Sequence, residues 1–238
     1  MKYAIYPEKQ GTITADSENA AYPATNLNNE YRTKVWKAVA EIQTAELTVP
    51  ISAISSVLGI FNTNATSGTI TIMDGATVVL AATPITMTNG RYWQEYTSYA
   101  SSCVATISLT TTGTTVECGS VRAGILRTVS TGALVGMTET IRTYSIRDSM
   151  RNGSFYGKKL ERVRVFTYGI MATREIQFRA LMDLFDHYDI VTPFAMLLSD
   201  VSGYEDEYAV FGYFDKPPSA NHNNPTWSPV SIVIIEGV

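Results

Sequence analysis

Two histidines, two cysteines, one acidic run and one aromatic cluster are the places where this sequence could support chemistry or ligand binding. His187 stands in Asp186-His187-Tyr188-Asp189 and His222 in Asn221-His222-Asn223-Asn224. The first reads as a helix-end residue, where a partly positive imidazole suits the C-terminal dipole. The second reads as a loop residue. Asp200-Val201-Ser202-Gly203-Tyr204-Glu205-Asp206-Glu207 gathers oxygen ligands of the kind a hard cation such as calcium prefers. It lacks the Asp-x-Asp-x-Asp-Gly loop, so a solvated hairpin turn is the reading. Ser202-Gly203 is not a nucleophile elbow, because no Gly-x-Ser-x-Gly surrounds it. No His/Cys cluster has zinc-ligand spacing, and no Gly-rich phosphate loop is present. A hydrolase would need a constellation scattered through the fold. The expectation is a non-enzymatic chain with no catalytic, cofactor or metal residue.

Cys103 and Cys118 flank a segment that reads as a hairpin, Val104-Ala105-Thr106-Ile107-Ser108-Leu109, a Thr/Gly turn around Gly113, then Thr115-Val116-Glu117. That pairing would set Cys103 opposite Cys118, on a face shared with Ala105, Ile107, Leu109 and Val116. The two thiols are expected to act as small buried hydrophobes. A disulfide fits the same geometry but needs an oxidising compartment. Tyr92, Trp93, Tyr96 and Tyr99 fall within eight residues. Aromatic rings stack on sugars and populate protein interfaces. Alternation places Tyr92, Gln94 and Tyr96 on one strand face and Trp93 and Glu95 on the other. Tyr92, Trp93 and Tyr96 are therefore the candidate carbohydrate or protein contacts, against the plainer reading that one of these faces is core.

The elements that would position these residues are mostly strands. Near the start, Tyr22-Pro23-Ala24-Thr25-Asn26-Leu27 and then Trp36 form a loop with an apolar anchor at each end. Pro and Asn pre-set turns, and Trp36 is expected to be a core anchor. Ala45–Val49 alternates with period two. Ile54–Phe61 reads as a buried strand. Gly68–Met73 alternates and runs into Asp74-Gly75, a hairpin signal, with Thr77–Leu80 returning. Arg91–Tyr96, the cysteine segment and Val121–Leu126 complete a set of short strands separated by turns, the pattern of a β-sandwich. A Gly/Thr/Ser-rich piece at Thr128–Ala133 marks a boundary. Beyond it, Thr140–Ile146, Leu160–Tyr168, Phe194–Leu198, Glu207–Phe214 and Val230–Glu236 read as strands. One helix is expected over 173–188, with Thr173 as N-cap and Phe178, Leu181, Leu184, Phe185 and Tyr188 on its apolar face. The fold class is mainly β: a β-sandwich over 1–130, then a smaller module of about five strands with one packed helix over 136–238.

Composition limits the partners. The chain of 238 residues is 45% hydrophobic and 17% charged, with a net charge of −4. Binding to phosphate backbones requires concentrated Lys and Arg, so nucleic acid is not the expected partner. The densest basic run, Lys158-Lys159-Leu160-Glu161-Arg162-Val163-Arg164, reads as a solvated or subunit-contacting edge. No run approaches the ~18 apolar residues that span a bilayer. The N-terminal Met1–Glu8 lacks a signal peptide's apolar core. These two features predict a chain without membrane insertion that stays soluble in the cell that makes it.

Residues 12–127 resemble the discoidin-like, galactose-binding-like jelly roll. The features that carry this are Ala15–Asn19, Tyr22–Leu27, Val35-Trp36-Lys37-Ala38, Ala45–Val49, Gly68–Ile72 and Trp93. The chain departs from that family at Asn28-Asn29-Glu30, where the family has Asp-Gly after Asn-Leu. The order of the two modules, ending in Ser231–Glu236, is similar to structural proteins of tailed-bacteriophage virions. In these, the second module resembles tail-tube and distal-tail ring proteins, which implies a β-barrel-like module flanked by one helix over 136–238, behind a jelly roll over 1–130. That resemblance implies a subunit of the tail tip or baseplate, assembled in the host cytoplasm as a homo-oligomeric ring and contacting other tail proteins. An adhesion module for cell-surface glycans is the alternative.

Overall fold

A computed structural model of the chain describes residues 3–30, 34–87, 89–129, 134–149, 155–160, 162–173, 175–199, 205–220 and 226–237. His222, and residues 200–204 of the acidic run, lie outside the described residues. The chain divides into two compact units, Met1–Val129 with Phe194–Phe211, and Ser130–Pro193 with Gly212–Val238.

The first unit contains β1 (Tyr3–Glu8), β2 (Thr14–Ala15), a 3-10 turn (Ala24–Asn28), β3 (Trp36–Lys37), β4 (Thr44–Ile51), β5 (Val57–Thr63), β6 (Ser67–Asp74), β7 (Thr77–Thr86), β8 (Arg91–Glu95), β9 (Cys103–Thr110) and β10 (Glu117–Thr128). One sheet has the order β2-β4-β9-β6-β7; in the other, β1-β10-β5-β8 run side by side with β3 on β10. Apart from the β6–β7 hairpin, consecutive strands from β1 to β10 alternate between the sheets, which is the jelly-roll path. The sequence alternation explains the layering: Leu47, Val49, Ile70, Ile72, Ile107 and Leu109 point from one sheet, Leu58, Ile60, Val121 and Ala123 from the other, into one shared core. Asp74-Gly75 makes the expected hairpin, with Asp74 opposite Thr77 and Gly75 at φ 55°, a conformation glycine adopts without cost. The strand expected from Ile54 begins instead at Val57. Ile54 has φ 70° and is 60% exposed.

The hairpin expected between the two cysteines does not form. β9 belongs to the five-stranded sheet, paired with β4 and β6, and β10 belongs to the opposite sheet. Cys103 lies opposite Ile51 and Cys118 opposite Thr63. The physical cause is the link at 111–116. Thr111 N donates to Gln43 O at 2.9 Å and Val116 N to Ile42 O at 2.9 Å, so the chain crosses the end of the sandwich instead of folding back.

The second unit contains β11 (Leu134–Thr143), β12 (Ile146–Ser149), β13 (Phe155–Lys158), β14 (Arg162–Thr173) and α1 (Gln177–Tyr188). The chain then makes β15 (Phe194–Leu197) and the single turn α2 (Glu205–Tyr208), both in the first unit. β16 (Ala209–Phe214), β17 (Ser219–Ala220) and β18 (Trp227–Glu236) follow. The module expected over 136–238 is thus interrupted. Phe194–Phe211 clusters with the first unit because β15 pairs with β1, Tyr3 opposite Leu197 and Ala4 opposite Met196.

The second unit's sheet runs β11-β14-β18-β16 with β17 on β18, and β12 pairs with β13 alone. Among the described residues no pairing closes this sheet into the barrel expected. Its packed helix begins at Gln177, four residues after the expected Thr173. Thr173 remains in β14; its N–H donates to Gln177 Oε1 at 2.9 Å and its hydroxyl accepts from Gln177 N at 3.4 Å. Gln177, Leu181, Leu184 and Tyr188 are buried, one helical stripe, and the Phe185 ring meets Phe214 edge-on at 5.4 Å.

Candidate binding surfaces

Tyr92 and Trp93 are held by β8 and Tyr96 follows its last residue; Tyr92 and Tyr96 are half-buried and Trp93 is buried. Tyr92 and Tyr96 pack on the core between the sheets. Trp93, 6% exposed, joins Ile5, Val57, Phe61, Ala195, Leu197, Ala209 and Phe211 in a second apolar cluster. Its cross-strand partner is Gly59. A side chain at that position would come within 2.6 Å of the Phe61 ring, so the glycine makes the room this cluster needs. Arg91 Nη1 donates to Glu207 O at 3.3 Å, tying β8 to the turn before β16. A ring that stacks on a sugar needs an open face, and Trp93 has none to offer. The covering residues come from Phe194–Phe211, more than a hundred positions later, which the local alternation around Trp93 cannot report.

The Tyr22–Trp36 loop is seated by buried apolar groups and by satisfied amides. Ala24, Leu27 and Trp36 are buried. Trp36 Nε1 donates to Ser17 O at 3.1 Å, Asn26 Nδ2 to Val35 O at 2.9 Å and Asn28 Nδ2 to Gly11 O at 3.0 Å. Glu18 Oε2 accepts from the Ala24 N–H that opens the 3-10 turn, at 2.9 Å. Arg122, buried on β10, donates to Asn29 O at 2.8 Å, Glu8 Oε2 at 3.1 Å and Ser120 Oγ at 3.0 Å. Its guanidinium lies 4.9 Å from the centre of the Phe211 ring. Four stretches of the first unit therefore meet at one cation. Nothing in the local sequence around Arg122 announces this, because its partners lie at Glu8, Asn29 and Phe211.

At the outer rim of that loop, Tyr22 is 39% exposed. The Lys37 ammonium stands 5.0 Å from its ring centre and 2.7 Å from Glu117 Oε2. The hydrogen bond from Lys37 to Glu117 holds the lysine above its ordinary pKa. Val39 and Ile42, close to Lys37 in sequence, are also exposed. An aromatic ring with fixed polar neighbours and small apolar patches is a surface that can receive an uncharged polar ligand.

The thiols are inert by position. Both cysteines are buried and free. Burial pushes the Cys118 thiol up to about 12, and burial followed by the Asp74 charge raises Cys103. His187 sits in the last turn of α1, where the sequence places it, with its ring edge-on to Tyr188 at 4.7 Å. Among the described residues no group of three or more His, Cys, Asp and Glu is arranged to hold a metal. Among the described residues no helix is long and apolar enough to cross a membrane.

The remaining surface of note is β11. Among the described residues it pairs along one edge only, with β14, and none of the side chains described between Gly136 and Lys159 is buried. Its two charges are tied within the unit: Arg142 holds both carboxylate oxygens of Asp215, at 3.0 and 3.1 Å, and Glu139 faces Arg164 at 3.3 Å. The hydrogen bond from Arg142 keeps the Asp215 carboxyl below its ordinary range. Arg164, from the basic run, also pairs with Glu236 at 2.8 Å.

No family model matches the chain, and no curated protein does. Solved structures with a similar layout match about half of it. Chitosan-binding module 1 from a chitosanase/glucanase of Paenibacillus sp. IK-5 is 16% identical, over 52% of this chain and 98% of that one, with a TM-score of 0.40. The Clostridium perfringens module CpGH89CBM32-5, solved with GalNAc-β-1,3-galactose, is 13% identical over 48% of this chain and 94% of its own, at 0.39. Reduced XRCC1 bound to the DNA polymerase β catalytic domain is 12% identical over 50% of this chain and 97% of that one, also at 0.40. None of these likenesses decides what the present chain binds.

Proposed function

We propose that this chain is a non-enzymatic structural subunit that assembles through its second unit and presents its β-sandwich to neighbours. The finer placement is the tail tip or baseplate of a tailed phage, as a ring. The observation that carries the assembly reading is β11: a ten-residue strand without a single buried described side chain. A strand stabilises its sheet by burying at least one face, and here the described side chains of both faces stay at the surface. Light scattering on the purified chain over a concentration series tests assembly, with an oligomer expected. A chain that stays monomeric would sink the reading. Electron microscopy of the parent particle tests the finer placement, and density for this chain away from any tail would remove it.

A second reading is a glycan-binding module, favoured by the half-exposed Tyr22 ring beside the Lys37–Glu117 pair. Chitosan oligosaccharides and a GalNAc–galactose disaccharide are the probes. Binding by calorimetry that disappears in Tyr22→Ala would support this reading; heat unchanged by that substitution would oppose it.

A further inference from the structure

None of the described side chains of β11 and the β12–β13 hairpin is buried, and yet they carry apolar groups. Ile141 on β11 is 65% exposed, Tyr144 in the connection 48%, and Ile146 at the start of β12 56%. Exposed apolar residues scattered singly are ordinary, whereas a contiguous group marks an interaction site. These three fall within six residues of each other.

The strand edge beside them is equally unprotected. Unpaired edges are normally blunted by lysine, proline, bulges or a cover. β11 contains neither lysine nor proline. After one irregularity between Leu134 and Gly136, it pairs with β14 in unbroken register from Gly136 opposite Gly169 to Thr143 opposite Arg162. Its Arg and Glu are already engaged with Asp215 and Arg164, so neither stands as a lone charge to repel an incoming strand.

Charge indicates what covers it. Residues 136–162 carry six Lys and Arg against three Asp and Glu, a net of +3, in a chain of net −4; the rest of the chain therefore carries −7. Outside its own 136–162 stretch a second copy thus carries the opposite net sign, and opposite charge favours and orients association.

We propose that the open edge of β11, with Ile141, Tyr144 and Ile146, docks on a second copy of this chain and is its principal self-association surface. This rests on the assembly reading above and names the partner and the contact. The test is sedimentation velocity on the full chain at low and high salt, comparing wild type with Ile141→Lys, Ile146→Lys and the control Val78→Lys. Val78 is a 57% exposed residue of β7. Both arm variants replace exposed side chains, so circular dichroism should match wild type. The expected result is that wild type self-associates, and that high salt weakens it by screening. Each arm variant should weaken it about tenfold or more, because an ammonium group enters an apolar contact, while Val78→Lys leaves it unchanged. Association that persists in both arm variants would overturn the docking surface and leave the assembly reading standing. A wild-type chain that is monomeric at every concentration would overturn the assembly reading itself.

Discussion

β7 and β11 are both ten-residue strands at the end of a sheet, each paired along one edge only among the described residues. On β7, two register shifts against β6 bend the strand: it spends three residues from Thr83 to Leu80 where β6 spends two, and two from Leu80 to Val78 where β6 spends one. Pro84 removes a donor from it, and Thr83 Oγ1 donates to Ala81 O at 2.8 Å, engaging one of its own carbonyls. β11 has none of this over its last eight residues. The other ends of the first unit's sheets are also managed, β2 by being two residues long and β8 by the contact from Arg91 to Glu207. The ends of the first unit's sheets carry bulges, proline or cover; on the assembly proposed above, β11 is the end that awaits a neighbour.

The contrast can be broken or sharpened in four ways. The largest effect concerns the interior of the finished unit. Trp36→Ala should cost about 3–5 kcal/mol, since it empties a fully buried aromatic site and leaves Ser17 O without its donor; urea unfolding followed by circular dichroism measures it. A cost near zero would mean that the sandwich is not the self-sufficient unit described. Next comes Arg122→Ala, which strands the Glu8 carboxylate and the Asn29 carbonyl; about 3 kcal/mol is expected, by the same measurement. Third, Thr138→Lys on β11 should weaken self-association about tenfold, ~1.4 kcal/mol, while Thr77→Lys on β7 does nothing. Equal effects on the two strands would erase the distinction. The smallest effect is electrostatic. Asp215 has its folded pKa below the unfolded value, so its contribution is present above the unfolded pKa of about 4 and lost as pH falls through the folded one. The pair is partly exposed, so Asp215→Asn should cost only about 0.5 kcal/mol at neutral pH, and that difference should vanish in acid.

Chemical labelling adds a check on the interior. With the Cys118 thiol pushed up to about 12 and fully buried, thiolate-directed reagents should label it only as the unit unfolds. Fast labelling of Cys118 in the native protein would contradict the packing between the sheets.

Much of the layout was legible because it is local. The alternation in β4 and β6, the Asp74-Gly75 turn and the stripe through Leu181, Leu184 and Tyr188 each encode their element within a few residues. Leu27 and Trp36 were legible as anchors for the same reason, a large apolar side chain flanked by turn formers. The candidate site was less legible. Period-two alternation states that Tyr92 and Trp93 face opposite ways, but it does not state what covers either face. Tyr22, Lys37 and Glu117 lie far apart in sequence and meet only through the pairing of β3 with β10, Lys37 opposite Glu117.

The sequence by itself determined the mainly β class, two β-rich modules and the presence of one packed helix, because side-chain periodicity and turn chemistry act over a few residues. Tertiary structure alone decided that Cys103 and Cys118 belong to opposite sheets, that Phe194–Phe211 returns to cover Trp93, and that β11 is left uncovered. Each of those outcomes depends on which distant strand wins a pairing, and that competition is settled by burial and hydrogen bonding across the whole unit.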